Sequence, residues 1–163
     1  MKVLLGILAV FIIGGVVALQ DEPSQAPALK QAQTVKAYPE KIPTFTSEQE
    51  ELLRLTNEQR VAYGLGKLAL NAELDRSAEA KCNDMEVNNY WDHGDWESFM
   101  TVDATKMGEN LAKGYENNAQ VVQGWMNSPT HRDNLLDSQF ITVGFATCDG
   151  PQHNLVVQHF ASL

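Results

Sequence analysis

The sequence predicts an α+β fold, with helices packed on a small antiparallel sheet. Three observations predict it. Apolar residues recur at helical spacing from Ser47 to Leu136, the period changes to two from Ile141 onward, and an Asp-Gly turn separates the last two alternating stretches. The chain has 163 residues, enough for one domain, and its 44% hydrophobic share suffices for a packed core.

The elements follow in order. "MKVLLGILAVFIIGGVVALQ" carries one charge, Lys2, before an apolar run of 17 residues, Val3 to Leu19. That length lies between the core of a signal peptide and a short membrane span, so residues 1–20 read as a signal peptide or a membrane anchor. Val16 and Ala18 offer a weak small-x-small cleavage site, and no Cys follows the run to carry a lipid. Residues 21–46 hold Pro23, Pro27, Pro39 and Pro43, four of the six prolines, and read as an extended linker. The domain is expected over residues 47–163. "SEQE" reads as a capping box from Ser47 to Glu50, followed by Leu52, Leu55, Ala62 and Tyr63 on a helix that Gly64 and Gly66 end. Asn71 caps a second helix whose Leu74, Ala78, Cys82 and Met85 share one face, and Asn88 and Asn89 close it. Tyr90 to Met107 is loop-like, and "MGENLAKG" reads as a short turn or half helix. Asn118 caps a third helix, and Pro129 opens a fourth, short one. "ITVGFATC" alternates, with Ile141, Val143 and Phe145 on one side and Gly144, Ala146 and Cys148 on the other. The turn "DGPQ" and the strand "HNLVVQHFA" complete an antiparallel hairpin.

Charge excludes one class of partner. The formal net charge is -9; without residues 1–20, which hold only Lys2, 11 basic minus 21 acidic residues gives -10. Nucleic acid needs clustered Lys and Arg to neutralise phosphates, and no basic run exists. The acidic balance also disfavours anionic membranes as direct partners of the domain.

Four segments resemble the CAP superfamily, which includes cysteine-rich secretory proteins, antigen 5 and pathogenesis-related proteins. They are "LLRLTNEQRVAYGLGKLALNAELDRSAEAKCNDM", "MGENLAKG", "WMNSPTHRDNLLDSQFITVGFA" and "LVVQHFA". The third is similar to the bacterial branch, the SCP domain. The similarity covers about residues 48 to 161. It implies an α-β-α sandwich, a central antiparallel sheet with helices on both faces, and a further strand between Trp96 and Lys113. It also implies secretion, in agreement with the N-terminal segment. Localisation is therefore expected to be extracellular, or anchored in the membrane facing outside.

The resemblance also implies a cleft of two histidines and two acidic residues. His93 stands at the first histidine, and Glu109 matches the glutamate of the Gly-Glu-Asn segment. The second acid position, three residues after the tryptophan, holds Ser128. The second histidine position, on the final strand, holds Leu155. His131, in its Ser-Pro-x-His-Arg motif, is expected to fill the same cleft. His93, His131 and Glu109 would offer two imidazoles and a carboxylate to a divalent metal such as Zn²⁺, leaving one position for water. Their sequence gaps of 16 and 22 residues match no metal motif.

Structural roles compete at each position. Glu109 can accept backbone amides, and His131 can hydrogen-bond a loop carbonyl. Arg132 is expected to pair with an acid or a carbonyl nearby. Trp125 reads as core, Asn110 and Asn134 as partners of buried backbone groups, and His153 and His159 as surface residues. Serine catalysis through Ser128, His131 and Asp133 is disfavoured, because the proline between them prevents a relay and no Gly-x-Ser-x-Gly elbow exists. Cys82 and Cys148, the only cysteines, either remain thiols or form a disulfide closing 66 residues.

Three functions follow as alternatives. The first is a non-enzymatic binding module, exported or tethered, whose cleft takes a metal, a lipid-like ligand, a small molecule or a cell-envelope component. The second is a metal-dependent hydrolase with Glu109 as general base. The third is a wall-associated interaction protein with a vestigial cleft.

Overall fold

The first helix, α1 (Ser47–Ala62), starts from a capping box one residue earlier than the expected one. The Thr46 hydroxyl accepts the Gln49 amide at 3.2 Å, and the Gln49 side chain accepts the Thr46 amide at 2.8 Å. Ser47 is already helical, so Ser47 and Glu50 do not form the box. The computed structural model describes residues 44–149 and 154–162, all within the unit Lys41–Leu163. Residues 1–43, the tip of the expected turn and His153 lie outside the described residues. Among the described residues, no helix is long and apolar enough to cross a membrane.

The remaining elements are β1 (Ala69–Leu70), α2 (Ala72–Val87), a 3₁₀ turn at Trp96–Phe99, β2 (Lys106–Lys113), α3 (Asn118–Asn127), α4 (Pro129–Leu135), β3 (Thr142–Asp149) and β4 (Asn154–Ser162). Asn71 caps α2 as expected, whereas α3 is capped by Asn117, whose side chain accepts the Gln120 amide at 3.0 Å. The sheet order is β1-β3-β4-β2. Strands β3, β4 and β2 are antiparallel, and the two-residue β1 adds a parallel pairing to β3.

"MGENLAK" is strand β2, not a turn or half helix. Its residues 108–112 are all buried, so it lacks the alternation that marks a strand with one wet face. It is the further strand implied between Trp96 and Lys113. Ile141 precedes β3 and is exposed, whereas Val143 and Phe145 are fully buried.

Helices cover both faces of the sheet, giving an α-β-α sandwich. On one face Leu52 of α1, Val121 and Trp125 of α3 and Leu135 of α4 pack on Val143, Phe145, Val156 and Phe160. On the other, Ala78, Cys82 and Met85 of α2 pack on Leu111, Ala146, Leu155 and Val157. The Cys82–Cys148 disulfide ties α2 to the end of β3 across 66 residues. Such a link stabilises by about 4 kcal/mol in the chain-entropy account. Gly144 allows α2 its close approach, because a Cβ there would lie 2.2 Å from the Leu74 carbonyl carbon.

Polar side chains complete what the short sheet leaves unpaired. Beyond β1, the Phe145 amide donates to Asp75 at 2.8 Å and its carbonyl accepts from Gln49 at 3.0 Å. The inward row of α1 runs through Leu52, Thr56, Asn57 and Arg60, while Leu55 is half-buried and Ala62 and Tyr63 are exposed. Arg60, not Arg132, is the arginine that holds carbonyls. Its guanidinium donates to Gly66 and Leu135 at 2.8 Å, to Asp137 at 2.9 Å and to Phe140 at 3.2 Å. Arg132 is exposed and makes no side-chain hydrogen bond among the described residues.

Arg60→Met should therefore leave several carbonyls unpaired. An expected loss of about 3 kcal/mol in urea unfolding tests this; a loss within error would show that water replaces the guanidinium. Burial pushes the Asp75 carboxyl up to about 6, against the lowering effect of the Phe145 amide. A value raised above the unfolded one means that folding opposes ionisation, so this group weakens the fold as pH rises from about 4 to about 6. Asp75→Asn keeps an acceptor for Phe145 and removes the titration. Relative to the parent, its stability should gain about 2 kcal/mol between about pH 4 and pH 7. Parallel pH profiles for the two proteins would contradict this.

Candidate functional site

The site lies at the outer edge of β2, where loops from both helical layers meet. Glu109 is at its centre, 4% exposed. Its Oε1 lies 2.6 Å from His93 Nδ1, and its Oε2 lies 2.9 Å from His159 Nε2. The other ring nitrogen of His159 lies 2.7 Å from the Ser77 hydroxyl on α2. His131, on α4, places its ring centroid 6.4 Å from that of His93.

Each imidazole is positioned by local structure. His159 shares the α2-facing side of β4 with Leu155 and Val157 and is fully buried, with the Trp96 ring 5.7 Å away. It is not a surface residue. His93 follows α2 in a loop held by buried Lys81, whose Nζ donates to the carbonyls of Asp92 at 2.9 Å and His93 at 2.7 Å and to the Tyr90 hydroxyl at 3.0 Å. Tyr90 in turn donates to Asp84, and its burial pushes the phenol up to about 12. The Gly94 amide closes the loop on Asp92 at 2.7 Å. His131 is half-buried; burial first, and then the nearby His93, lower its pKa. It therefore favours the neutral ring with a free lone pair.

Neighbouring amides hold this edge of the sheet. Asn134 donates to the Glu109 carbonyl at 3.0 Å, Asn110 to the His131 carbonyl at 3.1 Å, and the Trp125 indole to the Leu111 carbonyl at 3.0 Å. Trp125 is 1% exposed, a core residue.

The whole domain matches a known family. The model described as "CAP: Cysteine-rich secretory protein family" matches residues 53–160. The chain belongs to the CAP family. Among curated proteins, the uncharacterized protein YkwD of Bacillus subtilis is 33% identical over 134 residues, 77% of this chain and 51% of the relative. The uncharacterized membrane protein YlbC of the same organism is 35% identical over 107 residues, 61% of this chain and 31% of the relative. The chain thus spans about half or less of the length of these relatives. Among solved structures, an extracellular SCP-domain protein from Bacillus anthracis superposes with TM-score 0.64 at 27% identity, over 75% of this chain and 45% of that one.

This CAP domain departs from the tetrad implied by the resemblance. Leu155 is buried in the α2-side core, and His159, four residues further along the same face, contacts Glu109 instead. Ser128 caps no amide and lines a groove with His131. The alternation of Leu155, Val157 and His159 is the sequence signal that would have placed His159 inside; Ser77 and Lys81 carried no such signal. Ser77, His159 and Glu109 stand in a row like a catalytic relay, yet Ser77 is 2% and His159 0% exposed, so no substrate reaches them.

Hydrogen counting assigns the tautomers. A carboxylate only accepts, so His93 carries a proton on Nδ1 and His159 one on Nε2, while the single Ser77 hydroxyl proton is shared between the Leu74 carbonyl at 2.8 Å and His159. In the neutral ring this leaves His93 Nε2 bare. Long-range ¹H–¹⁵N spectra near pH 8 should show this Nδ1–H form for His93, which is otherwise the minor one. In Glu109→Gln, one oxygen must serve two donors, so a ring changes tautomer or loses its bond, at a cost of about 1–3 kcal/mol. An Nε2–H form of His93 in the parent would sink the assignment.

Proposed function

We propose that the protein is an exported or membrane-tethered binding module, not a hydrolase, and that its ligand enters the cleft between His93 and His131, beside Ser128. One observation carries this reading: both carboxylate oxygens of buried Glu109 are taken by imidazoles. Glu109 orients the two rings, and at 4% exposure its remaining lone pairs are shut off from the water a general base would activate. Residues 1–20 are the segment that directs export or tethering. The similar Bacillus anthracis protein is extracellular and YlbC is a membrane protein, which supports an outward-facing location.

Among the described residues, no group of three His, Cys, Asp or Glu is placed to hold a metal ion. His93 and His131 offer two nitrogens, but their rings are 6.4 Å apart. Imidazoles sharing one tetrahedral zinc stand about 5 Å apart, given Zn–N bonds of about 2 Å. The residues therefore do not build a three-ligand zinc centre, and no step is derived through one. The cleft supplies bare imidazole nitrogens to a small-molecule, lipid-like or cell-envelope ligand.

Calorimetric titration of the protein with Zn²⁺, alongside His93→Ala and His131→Ala, tests this. Uptake should be weak, with Kd of about 10 μM or above, and absent from both variants. Tight stoichiometric zinc together with ester or peptide hydrolysis that Glu109→Gln abolishes would establish the hydrolase instead.

A further inference from the structure

A second feature adjoins the cleft. A groove of about 580 Å³ runs from His131 and Ser128 past Leu111 and Lys113 to two partly exposed aromatic residues. Trp91 is 41% and Tyr115 38% exposed. Neither ring is loose. Lys113 Nζ stands over the Trp91 ring, 5.8 Å from its centroid. Tyr115 lies directly on Gly124 of α3, where a Cβ would fall 2.2 Å from the tyrosine hydroxyl. Any other residue at position 124 would displace that ring, so the sequence keeps Tyr115 seated beside the groove.

The groove's charge differs from that of the molecule. The chain carries 21 acidic and 12 basic residues, yet no Asp or Glu lines the groove, while Lys113 and His131 do. Tyr115 also lines a neighbouring acidic pocket with Glu48, Glu116 and Asp149. A lysine in a carboxylate-free groove, within an acidic surface, favours anionic groups there.

We propose that this groove is a subsite for an acidic glycan, a strand of sugar rings bearing carboxylates. The proposal rests on the reading of the protein as a binding module and adds a second subsite with its own ligand class. A pyranose ring presents a flat face of C–H groups that packs on an indole or phenol ring, and its rim of hydroxyls and carboxylates reaches outward. Trp91 and Tyr115 supply the two platforms. Lys113 meets the carboxylates, while the neutral His131 ring and the Ser128 hydroxyl, free of any capping bond, meet ring hydroxyls. An extended peptide fits less well. Strand addition needs free carbonyls on the outer edge of β2, and those of Glu109 and Leu111 are already bonded to Asn134 and Trp125. An acyl chain calls for an enclosed apolar channel, and this groove lies open beside Lys113, Ser128 and His131.

Calorimetric titration of the full chain in mild detergent at low salt, using tetragalacturonate, neutral chitotetraose and hexaglutamate as probes, decides it. Tetragalacturonate should bind saturably, at least about tenfold more tightly than either other probe. Trp91→Ala should weaken it by about tenfold and Lys113→Gln should erase its advantage over chitotetraose; both side chains are solvent-exposed, so both variants should fold, with unchanged circular dichroism. Absence of saturable tetragalacturonate binding, equal binding of hexaglutamate or chitotetraose, or unaltered affinity in Trp91→Ala would each overturn the proposal. None of these outcomes would bear on whether His93 and His131 take a ligand of their own.

Discussion

The outer edge of β2 is the constraint from which the rest of the architecture follows. An edge strand presents unpaired carbonyls and amides, and these must be bonded or hidden. Among the described residues no further strand does this. Trp125 of α3 and Asn134 of α4 reach the carbonyls of Leu111 and Glu109. Meeting that need draws the third and fourth helices against the edge, and the same placement carries His131 round the rim of the sheet toward His93, whose loop comes from the opposite layer. The cleft is thus a by-product of how a small sheet closes its border. The other border is closed in the same way, by the two residues of β1 and then by Asp75 and Gln49 on Phe145.

This manner of closing the sheet explains an unusually polar interior. Arg60, Lys81, Glu109, Asn110, Gln158 and His159 are all buried. Such groups are tolerable inside only when their donors and acceptors are matched. They are: among the described residues no buried side-chain nitrogen or oxygen lacks a partner. Arg60 and Lys81 each bind backbone carbonyls from segments without regular pairing, one after α4 and one around His93. Each cation fixes a loop that would otherwise need a strand or ordered water. Matched polar groups of this kind specify geometry more than they add stability.

Legibility in the sequence divides along this line. The apolar face of α2, the helix restart at Pro129 and the closing hairpin were readable, because period and turn chemistry are local signals. The N-caps of α1 and α3 were each misplaced by one residue, since adjacent Thr-Ser and Asn-Asn pairs offer two equivalent candidates. Strand β2 was hidden by two-sided burial and came only through family resemblance. Within the site, the resemblance pointed to His93, Glu109, Ser128 and His131; His93 lies 2.6 Å from Glu109, its ring 6.4 Å from that of His131, and Ser128 lines a groove with His131. His159 was missed because Leu155 stood at the expected histidine position, although strand alternation points both side chains inward. Lys81 and Arg60 could not be read as loop clamps, because their partners are carbonyls, which no side-chain pattern reveals.

The arrangement around Glu109 also limits what this cleft can do. A carboxylate that receives two imidazole protons fixes both rings and turns the bare nitrogen of His93 away from itself. His131 adds a second ring whose burial favours the neutral form. The cleft therefore offers lone pairs more than protons and suits ligands that donate hydrogen bonds. The adjoining groove has the opposite character, with the Lys113 ammonium above an indole face. Acceptor nitrogens at one end and a cation with stacked aromatic surface at the other give the edge of β2 a polarity along its length. A ligand spanning both would be held in one direction only, which is a basis for selectivity that needs no catalytic step.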